Sequence, residues 1–244
     1  MAHIIITGAT GLAGSAILAA CLASPAVAKV SVLSRRPVKL AEDSPKARVI
    51  IHSDYASFPS SVLDELRGAT GCIWAQGKSS VGMQEADYTV LTRDWPIAFA
   101  TAIAGLTGTQ AKTNFVYISG EGADPSEKAG QMFARIKGRA EKDLLGLAEN
   151  TPTLAVYNLR PGMIDPMGER ASDRAPGFAR DIAERVFGPL SRVLYPSMHT
   201  PTAKLAQVSL ELATGEGGPI ADGEGVEADG RTLRNVAIRR LAGL

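Results

Sequence analysis

Cysteine is scarce in this chain. Its 244 residues hold two, Cys21 and Cys72, far apart and each in an apolar context. That argues against a disulfide framework and for buried free thiols. Histidine occurs three times (His3, His52 and His199) without ligand spacing, so no metal site follows. An excess of one charge is also missing: 26 Lys and Arg stand against 25 Asp and Glu, with no long basic run. Nucleic acid and an anionic membrane surface therefore have no electrostatic case as partners. No apolar stretch reaches transmembrane length. The first residues lack the basic flank and long apolar core of a secretory leader, and a soluble protein in a reducing, cytoplasmic setting is expected. The Gly-x-Ser-x-Gly elbow of hydrolases does not occur, nor does any internal repeat.

What the sequence does have starts at its beginning. Ile4-Ile5-Ile6 reads as a strand buried on both faces. Thr7-Gly8-Ala9-Thr10-Gly11-Leu12-Ala13-Gly14 follows and runs into a helical pattern at Leu12, Ile17, Leu18 and Leu22. Gly8 permits the tight turn, Gly11 lets the backbone approach a pyrophosphate, and Gly14 lets helix and strand pack closely. The helix start presents free amides to phosphates. Gly8, Thr10, Gly11, Leu12, Ala13 and Gly14 are thus the first cofactor-side candidates.

Further strands are expected at 29–34, 47–51, 72–75, 114–119 and 153–159, alternating with helices at 12–23, 60–66, 85–106 and 128–147. This alternation predicts an α/β fold with a doubly wound parallel sheet. In such sheets the ligand lies at the carboxyl ends of the strands. The second strand ends in Ser34-Arg35-Arg36 instead of an acidic residue. Guanidinium groups there would pair with a 2′-phosphate that an acid would repel, which favours NADP(H) over NAD(H). Asp54, after the third strand, could accept from the adenine amino group or serve as a turn residue. Ala75, Gln76 and Gly77 at the fourth strand's exit, and Pro161, Gly162 and Met163 at the sixth's, should pass beside the cofactor. The chain reads as one domain over 1–244. Its Pro- and Gly-rich stretch at 165–200 would form a small cap, with Met163, Met167, Phe178, Phe187, Leu190 and Leu194 suggesting a hydrophobic small-molecule substrate. Thr202–Ala213 should be a helix, 214–230 a surface loop, and 233–241 a strand or a helix.

Val116-Tyr117-Ile118-Ser119, Phe133-x-x-x-Lys137-Gly138-x-x-Glu141 and Leu159-Arg160-Pro161-Gly162 complete a set of motifs with the glycine-rich turn. Over residues 3–165 the chain resembles short-chain dehydrogenase/reductases of the atypical or extended kind. It is most similar to small proteins of the nucleoside-diphosphate-sugar epimerase-like group, including fungal members. The resemblance implies a Rossmann fold, a nicotinamide cofactor and a monomer or homodimer. It also implies roles: a Ser that fixes the substrate oxygen (Ser119), a Lys that holds the nicotinamide ribose (Lys137), and, four residues before that Lys, a Tyr that exchanges the proton.

At the Tyr position this chain has Phe133, and 128–147 contains no tyrosine. A phenyl ring has no ionisable oxygen and cannot be a general acid or base. Three readings stay open. Redox chemistry persists with another relay, such as Ser119, a water, or Tyr88, Tyr117 or Tyr195. Alternatively, the protein binds NADP(H) but runs a non-hydride isomerisation, elimination or cyclisation. In the third, it senses or sequesters the cofactor.

Overall fold

The isoleucine run becomes the middle of β1 (Ala2–Thr7), where Ile4, Ile5 and Ile6 are each 0% exposed. Burial on both faces follows from its place near the centre of an eight-stranded sheet. The fold is given by a computed structural model that describes residues 1–106, 112–166 and 196–244. The other strands of this sheet are β2 (Val27–Ser34), β3 (Ala47–Ile51), β4 (Gly71–Trp74), β5 (Thr113–Ile118), β6 (Leu154–Arg160), β9 (Val226–Glu227) and β10 (Thr232–Arg234). Their order is β3-β2-β1-β4-β5-β6-β10-β9, parallel throughout except for the β10–β9 edge pair. The sequence reverses direction across the sheet between β1 and β4, where Thr7 pairs with Trp74. A crevice opens there at the carboxyl ends of the strands.

Helices cover both faces. On the side of Ile4 and Ile6 pack α1 (Leu12–Ala23), α7 (Thr202–Thr214) and α8 (Asn235–Leu241), through Ile17, Leu18, Leu205, Val208 and Ile238. On the side of Ile5 pack α3 (Ser60–Leu66), α5 (Trp95–Ile103) and α6 (Met132–Glu149), through Leu66, Phe99, Ile103, Ala140 and Leu144. Short helices α2 (Lys39–Glu42) and α4 (Glu85–Thr89) complete this inventory. Cys21 and Cys72 are buried and free, and burial pushes the Cys21 thiol up to about 12. His3, at the start of β1, bonds Ser31 Oγ at 2.8 Å, a structural role.

Between α4 and α5 lies one π-helical stretch, Val90–Asp94, and Pro96 sits in the first turn of α5. Proline has no N–H to give to the carbonyl four residues back, that of Thr92. Tyr117 supplies the missing donor: its hydroxyl bonds the Thr92 carbonyl at 2.8 Å. Tyr117 is 2% exposed, so this phenol is committed to the core. Tyr117→Phe would leave that buried acceptor unpaired, and it is expected to cost about 1–3 kcal/mol in urea denaturation. Any turnover should survive, which a relay role for Tyr117 would forbid.

Several boundaries differ from the sequence expectation for local reasons. α6 begins at Met132, not at 128, because the Asp124 carboxylate accepts the N–H groups of Ser126, Lys128 and Ala129 at 2.8–2.9 Å and holds 124–129 as a loop. Met163, expected in the exit loop, and Asp165, expected to open the cap, both fall in β7 (Met163–Asp165), which pairs in parallel with β8 (His199–Pro201). Three-residue strands show too little alternation to be read from sequence. The expected loop at 214–230 contains β9, and 233–241 is both things considered for it, the end of β10 and then α8. Of the expected cap, 167–195 lies outside the described residues, with Met167, Phe178, Phe187, Leu190, Leu194 and Tyr195.

Candidate active site

Two cavities open at the carboxyl ends of the strands. The first, about 390 Å³, is lined by the β1–α1 turn (Gly8, Thr10, Gly11), the end of β2 (Leu33 to Arg36), Tyr55, and Ala75 to Gly77. Gly8 has φ +69°, and a Cβ there would lie 2.5 Å from the Ala75 carbonyl carbon. A Cβ on Gly14 would lie 2.1 Å from the Gly8 oxygen. The glycines therefore let the turn settle against the β4 exit and the helix against the turn. The helical ladder starts with Ser15 N to the Gly11 carbonyl at 3.0 Å. The amides of Leu12, Ala13 and Gly14 thus precede the first acceptor in the helix. Those three residues are not among the cavity's lining; Ala13 and Gly14 are buried against β1.

Arg35 and Arg36 flank this cavity, and the Ser34 hydroxyl accepts from Arg36 N at 3.3 Å. The Gln76 side-chain Nε2 is buried without a partner. Asp54 does not line the cavity: its carboxylate accepts from Ala56 N at 3.0 Å and from the Ser57 hydroxyl at 2.9 Å, closing a turn. Its neighbour Tyr55, which carried no motif, lines the cavity, bonds the Leu33 carbonyl at 3.2 Å and packs edge-on against Trp74. Lys78 is exposed outside it.

The second cavity, about 720 Å³, gathers Ser119, Phe133, Lys137, Pro161, Gly162 and Met163 with Ile164, Ser197, Met198 and Val236. Lys137 Nζ donates to the Ser119 carbonyl at 2.5 Å. Ser119 Oγ is buried and has no partner. Burial brings the Lys137 ammonium down to about 8, against the opposing pull of the Glu141 carboxylate one turn along α6. Glu141, 0% exposed, is gripped by Arg160: Nε lies 3.0 Å from both carboxylate oxygens and Nη2 lies 2.6 Å from Oε2. Arg160 Nη1 also reaches Glu227 at 2.9 Å.

Of the further members of this site, Glu121, Arg234 and Asn235 carried no signal in the sequence. Gly138 receives the loop after β5 so closely that a Cβ would lie 2.0 Å from the Asp124 carbonyl carbon. Glu121 accepts from Arg234 Nη2 at 2.6 Å and from Asn235 N at 2.9 Å, tying the last strand and helix to the loop. Gly162 lies against the chain itself, since a Cβ there would sit 2.3 Å from the Met198 carbonyl oxygen. His199 Nδ1 lies 3.3 Å from the buried Asp165 carboxylate on the β7–β8 pair. Among the described residues no cluster of His, Cys, Asp and Glu could hold a metal ion.

This architecture is that of solved dehydrogenases. The short-chain dehydrogenase family protein of Francisella tularensis aligns with a TM-score of 0.63 over 89% of this chain and 93% of its own, at 14% identity. The fold is that of the short-chain dehydrogenases and reductases. The chain belongs to the family of leucinostatins biosynthesis cluster protein T of Purpureocillium lilacinum, to which it is 31% identical over 97% of its length and 94% of the relative's. It is 29% identical to the mitochondrial protein fmp52 of Emericella nidulans, over 92% of its length and 91% of the relative's. No family model matches the chain. The expected cytoplasmic setting is corrected by these relatives, since several Fmp52 proteins are mitochondrial by name. No helix among the described residues is long and apolar enough to cross a membrane.

Proposed function

We propose that the protein is an NADP(H)-dependent oxidoreductase acting on a small, hydrophobic carbonyl or alcohol. The observation that carries this reading is the pairing of Lys137 with the Ser119 carbonyl beside an unpartnered, buried Ser119 hydroxyl. A hydroxyl with no protein partner in a mainly apolar cavity is a ready donor to a substrate oxygen. Phe133, Met163, Ile164, Met198 and Val236 supply apolar wall around it. A relative named for a biosynthesis cluster fits a small-molecule substrate.

The first cavity fits a dinucleotide. Arg35 and Arg36 line its β2 end opposite the glycine-rich turn, and the orphan Gln76 amide awaits an acceptor. Gly8, Thr10 and Gly11 would hold the pyrophosphate at the start of α1, Arg35 and Arg36 a 2′-phosphate, and Lys137 the nicotinamide ribose. Asp54, Leu12 and Ala13 would contribute through the turn and the helix start instead of from the wall. When bound, the nicotinamide supplies a hydride.

Charge reversal tests the cofactor choice. Arg35→Glu combined with Arg36→Glu should weaken NADPH binding about tenfold or more, since each charge-assisted pair contributes roughly 1.5–3 kcal/mol. NADH binding should hold or improve in calorimetry. Equal losses for both nucleotides would contradict the assignment. Phe133 favours a second reading, a cofactor-binding protein without hydride transfer, as a non-redox isomerase, cyclase or lyase or as a NADP(H) sensor. That reading requires nucleotide binding with no turnover of any carbonyl.

A further inference from the structure

Reduction of a carbonyl needs a proton as well as a hydride, and position 133 has none to give. Among the described residues that line the second cavity, the titratable side chains are Glu121, Lys137 and Arg234. Glu121 accepts from Arg234 Nη2 and from Asn235 N, so both its oxygens are already engaged. Arg234 is pushed above the usual guanidinium value by Glu121 and keeps its protons. The described phenols are elsewhere: Tyr117 bonds the Thr92 carbonyl, Tyr157 bonds the Gly218 carbonyl, Tyr88 is buried and Tyr55 lines the first cavity.

We propose that Lys137 is itself the proton donor of this site, passing a proton from Nζ to a substrate oxygen seated on Ser119 Oγ. The proposal rests on the oxidoreductase reading above. Its geometry is that of one residue held by both ends. Nζ is anchored on the Ser119 carbonyl at 2.5 Å, while the hydroxyl of the same Ser119 is free to hold the substrate. An ammonium has three protons, and the carbonyl uses one. Nζ also lies 3.4 Å from where a Gly120 Cβ would sit, so the absence of that side chain leaves the approach open. Of the charged groups around Lys137, Glu141 on its own helix acts on it, and the carbonyl of Ser119 faces it from the β5 side. A value of about 8 suits an amine that must both hold and release a proton near neutrality.

In the reductive direction the carbonyl carbon receives the hydride, and the C=O π pair moves to oxygen. That oxygen takes a proton from Nζ. A C–H and an O–H bond would form, while the C–H bond of the hydride donor, the C=O π bond and an Nζ–H bond would break. The carbonyl is reduced to the alcohol, and the dihydronicotinamide is oxidised. The neutral amine then regains a proton from water.

Two measurements test this. The first uses the protein without nucleotide: reductive ¹³C-methylation and NMR titration of Lys137, identified by its loss in Lys137→Arg. A midpoint near pH 8 is expected, and an ordinary value above pH 10 overturns the proposal. The second compares NADPH binding with NADPH oxidation by a panel of ketones, aldehydes and enones. Measured at saturating NADPH, so that any weakened hold on the ribose is overcome, Lys137→Arg should lose turnover by about 100-fold or more, a typical contribution of a positioned acid. Adding Phe133→Tyr to that variant should restore part of the rate. Turnover by Lys137→Arg at the wild-type rate and with the wild-type pH profile overturns the proposal but leaves the oxidoreductase reading standing. Loss of turnover in Tyr195→Phe with Lys137→Arg unaffected would assign the proton elsewhere. Failure of the wild-type protein to bind NADPH, or to turn over any carbonyl, fails the reading itself.

Discussion

Glu141→Ala is expected to destabilise the protein by about 3–5 kcal/mol, the usual cost of stripping one partner from a buried ion pair. Glu141 is fully buried and holds two nitrogens of Arg160, whose side chain is 8% exposed. Without the carboxylate, the ion-pair partner left to Arg160 among the described residues is Glu227, which is itself 44% exposed. A total stability of about 5–15 kcal/mol makes such a loss visible as a large drop in the urea midpoint. Replacing both partners, Glu141→Leu with Arg160→Met, should recover most of it, because no unpaired buried charge then remains. The pair joins α6, which carries Lys137, to the end of β6, which leads directly into Pro161. Glu141→Ala costing under about 1 kcal/mol would mean that water reaches Arg160 after all.

Gly14→Ala is the second large effect. In a helix, Gly to Ala ordinarily stabilises by about 1 kcal/mol. Here the new Cβ would meet the Gly8 oxygen at 2.1 Å, the Gly8 carbon at 2.6 Å and the Ala9 nitrogen at 3.0 Å, all backbone atoms. Neither the turn nor the helix can yield without moving the other, and the Gly8 turn is already pressed on the exit of β4. The variant should lose nucleotide binding entirely and lower the melting temperature. Gly146→Ala on α6, where a Cβ meets nothing within 4 Å, is the control and should stabilise by about 0.5–1 kcal/mol. Retained nucleotide affinity in Gly14→Ala would show that α1 does not need to rest on its own turn.

What the sequence made legible was local or periodic. The isoleucine run, the glycine spacing and the alternation of strands with helices led to the parallel sheet, because each is a pattern within a few residues. The Ser119–Lys137 approach was readable through family resemblance, being a strand end and a helix face. Long-range tertiary contributions were not readable. Arg234 and Asn235 reach the site because β10 pairs with β6 in parallel some seventy residues later in the chain. Nothing near them in sequence marks that return. Gly138 was visible as part of the family motif, but the Asp124 carbonyl packed against it, the physical reason for a glycine there, was not. Asp54 and Tyr55 show the limit of single-residue reasoning: the acidic side chain closes a turn while its aromatic neighbour faces the cavity. Cellular setting was also beyond composition, since an even charge balance and free thiols suit more than one compartment.

The central claim is that the first cavity holds the 2′-phosphate and pyrophosphate of a nicotinamide dinucleotide whose nicotinamide ribose reaches Lys137 in the second. Calorimetric titration of the purified protein with NADPH and NADH addresses it most directly. Saturable 1:1 binding of NADPH, tighter than NADH by about tenfold or more, is the predicted result, as expected for two guanidinium groups on one phosphate. No heat and no saturation with either nucleotide would contradict the account at its root. The glycine-rich turn would then be a packing device, and Lys137 and Ser119 would belong to a different chemistry.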